Sequence, residues 1–217
     1  MDKRKIIHSI SKHVMEKYLD EPTGHDWWHT YRVWKLAVEI AKKEKQADMF
    51  VVQLAALLHD IADWKFAGGD IHAGSREARR LLSGKVDDSI IKKVEYIIDN
   101  VSFKGAGEKE KMASIEGKIV QDADRLDAMG AIGIARVFAY GGATGRVIHD
   151  PRISYKENMK FEDYKANKGT SINHFYEKLL LLKGRMNTKE GKRIAASRHK
   201  IMKNFLDEFY KEWDGIK

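Results

Sequence analysis

The feature that most constrains this chain is an apolar segment that ends in a histidine–aspartate pair. Seven of the ten residues of Val51–Asp60 are aliphatic, which predicts a buried helix that begins near Ala47-Asp48 and runs to about Ala62. Burying a charged pair at its end is costly unless the pair has a partner. The His59 nitrogen and the Asp60 oxygen are donors that suit a divalent transition metal.

The geometry of a helix limits how these two residues can act together. Successive residues point about 100° apart, so His59 and Asp60 can bind one ion only where it lies in the angle between them. The remaining ligands must come from other segments of the chain.

The rest of the chain predicts an all-α fold, because only two prolines occur and long stretches repeat their apolar residues at the helical period. Asp26 and Asp70 are predicted to cap helices at their first turn, and Gly84 to follow the last turn of a helix. We predict one domain over residues 1–217. Its parts are a motif core at about 24–140, a loop excursion at about 141–170, and closing helices at about 171–213 that pack on the core.

The absence of cysteine excludes disulfides, thiolate catalysis and Cys-ligated zinc. The basic start of the chain leads into an amphipathic pattern, which argues against a signal peptide, and no apolar run approaches the length of a membrane span. We therefore expect a cytoplasmic protein without a membrane partner.

The net charge of +8 is compatible with nucleic-acid binding or with an anionic substrate such as a nucleotide. However, Lys and Arg are spread over every segment and are often interleaved with Glu, as on solvated helix faces. The charge pattern therefore argues against nucleic acid as a partner and favours a small phosphorylated substrate.

Two further segments contain candidate functional residues. His29 and Arg32 share one helix face, so a metal-bound histidine would have a guanidinium beside it, although His29 alone could be a core histidine. Asp63 follows Asp60 by three residues and lies on nearly the same face. The stretch 115–135 predicts a buried helix with three aspartates, of which at least one needs compensation by a cation or by a dense set of hydrogen bonds. Arg125 could supply it as an ordinary salt bridge, and the pattern does not select the aspartate that faces inward.

The local contexts of these residues resemble the HD superfamily of metal-dependent phosphohydrolases. They are His29–Val33, Leu54–Asp63 and Asp122–Ala128. The segments Gly24–His29, Ala131–Arg136 and Asn173–Leu179 are similar to the small, single-domain YpgQ/YedJ-like branch, and this resemblance covers nearly the whole chain.

The resemblance implies an all-helical fold and one divalent metal bound by His29, His59, Asp60 and Asp124. The position within the Asp-Arg-Leu pattern selects Asp124 over Asp122 and Asp127. Mixed imidazole and carboxylate ligation favours manganese, with iron, cobalt or nickel as alternatives and magnesium less suited.

The resemblance also implies roles around the metal. His25, Asp26 and His72 are expected to line the substrate pocket, and Arg146 is a further substrate-binding candidate. In the catalytic set, Asp63 would orient the attacking water, while Arg32 or Lys65 would neutralise developing charge.

The activity implied is hydrolysis of nucleoside triphosphates to monophosphate and pyrophosphate. One alternative keeps the fold and metal but acts as a phosphomonoesterase or phosphodiesterase on another small phosphorylated metabolite. Another is a basic helical protein that binds nucleic acid or keeps the metal only for structure. A homodimer is compatible with each reading.

Overall fold

The computed structural model describes residues 2–19, 25–62, 70–108 and 111–216, and within these ranges the chain forms helices and no strands. The all-α prediction is therefore confirmed. The α-helices are α1 Lys3–Tyr18, α2 Trp27–Ala41, α3 Met49–Leu58, α4 Ala73–Leu82, α5 Asp88–Val101, α6 Ile115–Asp127, α7 Gly130–Ala143, α8 Phe161–Ala166, α9 Ser171–Glu177 and α10 Lys189–Trp213. A 3₁₀ helix, Leu179–Arg185, follows α9. In the described ranges, no helix is long and apolar enough to cross a membrane.

Side-chain caps define where several helices begin. The Asp26 carboxylate accepts the backbone N–H of His29 at 2.8 Å, which confirms the predicted cap of α2. Asp48 caps α3 in the same way. Gly84 adopts φ +73° directly beyond the C-cap of α4, as expected of a residue that ends a helix in the left-handed conformation.

Several helix boundaries differ from the sequence-based prediction. Asp70 lies before α4, which starts at Ala73 with His72 at the N-cap position, although the Asp70 carboxylate accepts the His72 N–H at 3.0 Å. The predicted helix over 115–135 is two helices, because the chain turns after Asp127 and Gly130 adopts φ +71°. The predicted loop excursion at 141–170 begins with the end of α7 and contains the short helix α8.

The chain contacts group the helices into two compact units. The first comprises Met1–Phe103 and Lys109–Asp124, and the second comprises Lys104–Glu108 and Arg125–Lys217. In the first unit, α3 packs against α1, α2 and α5, and eight of its ten residues are buried. The buried helix predicted from the apolar run is therefore the centre of this unit, although it ends at Leu58 and not at Ala62.

In the second unit, α7 packs against α9 and α10, and the 3₁₀ helix packs against the same two elements. Phe175 is fully buried in this unit, and its ring contacts those of Phe138 and Phe205.

Candidate metal centre

Three elements of the first unit bring polar side chains together. His29 comes from the first turn of α2, His59 and Asp60 from the turn directly after α3, and Asp124 from α6. Because α3 ends at Leu58, His59 is its C-cap residue and Asp60 lies outside the helix. The pair is therefore presented by a turn at the end of a buried helix.

The C-terminal end of α1 holds this turn in place. The Lys17 ammonium donates to the Ile61 carbonyl oxygen at 2.8 Å, and the Tyr18 hydroxyl donates to the same oxygen. A carbonyl that α3 no longer pairs is thus satisfied by two side chains. These contacts fix the backbone immediately after Asp60.

The donor atoms of the four predicted metal ligands lie close to one another. His29 Nε2 is 3.2 Å from His59 Nε2, 3.3 Å from Asp60 Oδ2 and 3.6 Å from Asp124 Oδ1. His59 Nε2 is 3.5 Å from Asp60 Oδ2 and 3.9 Å from Asp124 Oδ1. The structure therefore places the two imidazole nitrogens beside each other and each within 3.9 Å of both carboxylate oxygens.

These distances fit the donor set of a divalent cation. Ligand atoms bonded at about 2.1 Å to one ion lie roughly 3.0–3.4 Å apart when they are neighbours in a tetrahedral or octahedral shell. The observed separations fall within or slightly above this range. Two groups of residues, His29 with His59 and Asp124, and His25 with His29 and Asp60, have the proximity that a metal site needs.

Burial and tautomer also favour cation binding at His59. Its side chain is almost fully buried, and its Nδ1 lies 2.9 Å from the Ala56 carbonyl oxygen. Since a carbonyl only accepts, Nδ1 carries the proton, and Nε2 of the neutral ring is left with a lone pair directed at the cluster. His29 is fully buried as well.

The electrostatics keep Asp60 ionised. Burial raises the pKa of its carboxyl, but the adjacent imidazole of His59, together with those of His25 and His29, outweighs this effect and holds the pKa well below its usual value. His25 Nδ1 lies 2.8 Å from Asp60 Oδ2. His25, predicted from sequence to line the pocket, is therefore also within reach of the metal cluster.

The three aspartates of the 115–135 stretch have different environments. Asp124 lies at the cluster and its side chain is 29% exposed. Asp122 is fully buried, and Asp127 is buried with an ion pair to Arg136 at 3.2 Å. Arg125, predicted as a compensating cation, donates to the Arg185 carbonyl, and its pairing with an aspartate stays a prediction.

The remaining predicted site residues are less closely grouped. Arg32 is half-buried one turn after His29 on α2. His72 is 58% exposed and its Nδ1 lies 3.1 Å from Asp99 Oδ2. Arg146 belongs to the second unit, where its guanidinium lies 5.9 Å from the centre of the Tyr140 ring.

Two predicted catalytic residues lie outside the described residues. They are Asp63, the candidate for orienting water, and Lys65, a candidate for neutralising charge.

The sequence did not single out Asp99, the partner of His72, because it follows two buried isoleucines on α5 without a motif around it. It also missed Lys17 and Tyr18, which read only as the end of an amphipathic helix.

Comparison with known proteins identifies the family. The HD domain model matches residues 27–129. YpgQ of Bacillus subtilis is 38% identical over 218 residues, covering 100% of this chain and 98% of YpgQ. A crystal structure of YpgQ in complex with ADP is similar with a TM-score of 0.72 and 34% identity, over 98% of this chain and 97% of that chain.

Two further crystal structures extend the similarity. A Lactobacillus plantarum protein has a TM-score of 0.85 and 38% identity, over 99% of this chain and all of that one. An HD-superfamily hydrolase from Bacillus thuringiensis has a TM-score of 0.71 and 42% identity, over 98% and 99% of the two chains. The HD domain implies divalent-metal binding, for which this chain has a suitable donor set. The chain therefore belongs to the HD domain family and is an HD-superfamily metal-dependent hydrolase.

Proposed function

We propose that this protein is a nucleoside triphosphate pyrophosphohydrolase that produces a nucleoside monophosphate and pyrophosphate. The observation that carries the proposal is the cluster of two imidazole nitrogens and two carboxylate oxygens, all buried or half-buried, with the Arg32 residue one turn away. Such a donor set with a nearby guanidinium suits a phosphorylated substrate.

The choice of a nucleotide is supported by the relatives. YpgQ of Bacillus subtilis, which matches this chain over nearly its whole length, has a crystal structure in complex with ADP. The net charge of +8 favours a substrate that carries several negative charges.

The proposed metal ligands are His29, His59, Asp60 and Asp124, and manganese is the favoured ion. When bound, such an ion lowers the pKa of water and polarises a phosphoryl oxygen. Asp60 is suited to this position because its lowered pKa keeps the carboxylate charged at neutral pH.

In the proposed reaction, the oxygen of a water molecule forms a bond to the α-phosphorus. The bond from the α-phosphorus to the bridging oxygen breaks, and pyrophosphate leaves with that electron pair. Arg32 neutralises negative charge on the phosphates from the face of α2 that carries His29, and Lys65 is a second candidate for this role. Asp63 orients the attacking water and accepts its proton.

The pocket beyond the metal is proposed to include His25, Asp26 and His72. The role of Arg146 as a substrate-binding residue stays a prediction. Of these residues, His25 contacts the metal cluster directly, because its Nδ1 lies 2.8 Å from Asp60 Oδ2. A hydrogen bond at this position can orient the Asp60 carboxylate.

Product analysis tests the proposal directly. A panel of ribo- and deoxyribonucleoside triphosphates incubated with manganese should yield monophosphate and pyrophosphate, with little orthophosphate, as separated by anion-exchange chromatography. Asp60→Asn should lower the rate by at least about a hundredfold, since a metal ligand is lost.

Other products would contradict this assignment. Orthophosphate released from monophosphates would identify a phosphomonoesterase, and cleavage of diesters alone would identify a phosphodiesterase. Inertness of the whole panel with manganese, iron, cobalt and nickel would reject nucleotide hydrolysis.

A further inference from the structure

A cavity lies in the first unit, near the start of α3 and away from the metal cluster at the other end of this helix. It has a volume of about 420 Å³ and is bordered by residues of α1, α2 and α3. This volume falls within the roughly 300–1,000 Å³ typical of small-molecule sites. None of the residues that line it is a proposed metal ligand or a predicted substrate contact.

One wall of the cavity is positively charged. Lys3 and Arg4 are exposed on the first turn of α1, and His8 follows one turn later. No described carboxylate lies within 4 Å of the Lys3 ammonium or the Arg4 guanidinium. The Lys3 ammonium instead lies 5.1 Å from the centre of the Phe50 ring. This wall therefore carries two exposed cations that form no salt bridge with a described carboxylate and are open to an anion.

Other residues that line the cavity offer aromatic surface and a defined hydrogen-bond donor. The indole N–H of Trp34 donates to Gln53 Oε1 at 3.3 Å. Because an indole can only donate, this contact orients the Gln53 amide and leaves its NH₂ group available to a ligand. Trp34 is half-buried, so part of its ring is accessible to a planar ligand, whereas Phe50 is buried and its ring lies under the Lys3 ammonium.

The carboxylate that lines the cavity, Asp48, is already engaged. It caps α3 by accepting the backbone N–H groups of Phe50 at 2.9 Å and Val51 at 3.5 Å. The groups left for a ligand are thus cations, neutral donors and aromatic rings. A phosphate combined with a planar, acceptor-bearing ring matches this set.

We propose that this cavity is a second nucleotide-binding site, separate from the metal centre. The phosphate is bound by Lys3 and Arg4, and the base packs against Trp34 with Gln53 as a hydrogen-bond donor. The site is independent of the proposed catalytic activity, because the reaction uses none of its residues.

Calorimetric titration with ADP in the presence of EDTA tests the proposal. Wild-type protein should bind one ADP, and Arg4→Ala should weaken binding about tenfold through loss of a charge-assisted hydrogen bond. Lys5→Ala is the matched control, because it removes one exposed cation of the same helix that does not line the cavity. It should change the affinity less than roughly twofold.

Two further variants separate this site from the metal centre. ADP should quench tryptophan fluorescence in the wild type, and Trp34→Phe should reduce that quenching. His59→Ala should bind ADP in EDTA with unchanged affinity. Loss of binding in His59→Ala with retention in Arg4→Ala would assign the nucleotide to the metal centre and overturn the proposal.

The identity of the ligand is tested with two other probes. Inorganic phosphate should bind more weakly than ADP, and equal affinities would reduce the site to a simple anion site. Vesicles of phosphatidylserine and phosphatidylcholine should not bind in an Arg4-dependent manner. Arg4-dependent vesicle binding without ADP binding would identify a lipid surface as the partner and reject the nucleotide.

Discussion

Asp122, Asp124 and Asp127 have the same side chain within two helical turns, but the structure gives them different surroundings. Asp124 lies 3.6 Å from His29, whereas Asp127 is paired with Arg136 in the second unit. Asp122 is fully buried. Burial alone therefore does not mark the proposed metal ligand, since Asp124 is the most exposed of the three.

We expect Asp124→Asn to affect metal binding and Asp127→Asn to affect the stability of the fold. Asp124→Asn should abolish stoichiometric metal binding, because the amide is a much weaker ligand than the carboxylate. Asp127→Asn should retain the metal but lower the free energy of unfolding by about 2 kcal/mol, since it leaves the Arg136 charge without its anionic partner. Elemental analysis and urea unfolding measure the two effects. Metal loss in Asp127→Asn but not in Asp124→Asn would show that the assigned register is wrong.

The histidine–aspartate pair supports a second prediction. His59→Ala and Asp60→Ala should each lose the one transition metal per chain that the wild type takes up after chelation and reloading, because each removes a donor atom from the cluster. His72→Ala is a suitable control, since His72 is 58% exposed and bonded to Asp99.

Circular dichroism should show that these variants remain folded. Retention of stoichiometric metal by both folded variants, His59→Ala and Asp60→Ala, would exclude the pair as ligands.

At the scale of elements, α3 and the turn that follows it position two of the proposed metal ligands, His59 and Asp60. The helix is apolar on all sides because α1, α2 and α5 surround it, so its direction and depth are set by packing. The turn at His59 and Asp60 is held by Lys17 and Tyr18 at the end of α1. The two donors are thus held by a buried helix on one side and by side-chain hydrogen bonds on the other.

Charged side chains of α4 and α5 also pair with each other at the surface. Arg79 of α4 donates to both oxygens of Glu95 at 2.6 Å and to Asp88 at 2.8 Å, and both partners belong to α5. Hydrogen bonds from Lys92 and Arg79 hold the pKa of Asp88 below its ordinary value of 3.8.

This contact predicts a pH-dependent contribution to stability. A carboxyl with a lowered folded-state pKa stabilises the protein fully above about pH 4, and the contribution is lost as the pH falls through the lowered pKa. Asp88→Asn should therefore lower the Tm slightly at pH 7, and the difference from wild type should close below pH 3.8. Calorimetric scans over this range measure the difference.

Asp87→Asn is the matched control, because Asp87 makes no side-chain cap bond at the start of α5. An Asp88→Asn difference that is as large at pH 2.5 as at pH 7, or that Asp87→Asn reproduces at both pH values, would contradict the assignment.

At the scale of the whole molecule, the residues matched by the family model do not coincide with either of the two compact units. The HD domain model spans residues 27–129, while the relatives match nearly the full length of this chain. All four proposed metal ligands belong to the first unit. The single-domain organisation stays a prediction, as do the homodimer and the weak affinity for nucleic acid expected from the dispersed net charge of +8.

The sequence by itself determined where most helices lie and which residue types can carry the chemistry. Apolar periodicity, the Asp26 cap and the Gly84 turn depend on neighbours along the chain, and the structure confirms them. The contexts around His29, His59 and the 122–128 stretch sufficed to recognise the HD family. These features are local, so short-range sterics and hydrogen bonding are enough to predict them.

Only the tertiary structure decided which atoms meet. The end of α3 at Leu58, the turn at Gly130 and the contact of His25 with Asp60 depend on segments that are distant in sequence. The same holds for Asp124, which lies at the cluster because α6 packs in one orientation and not another. Packing of whole helices sets these distances, and a helical repeat specifies a face of one helix but not the partner that this face contacts.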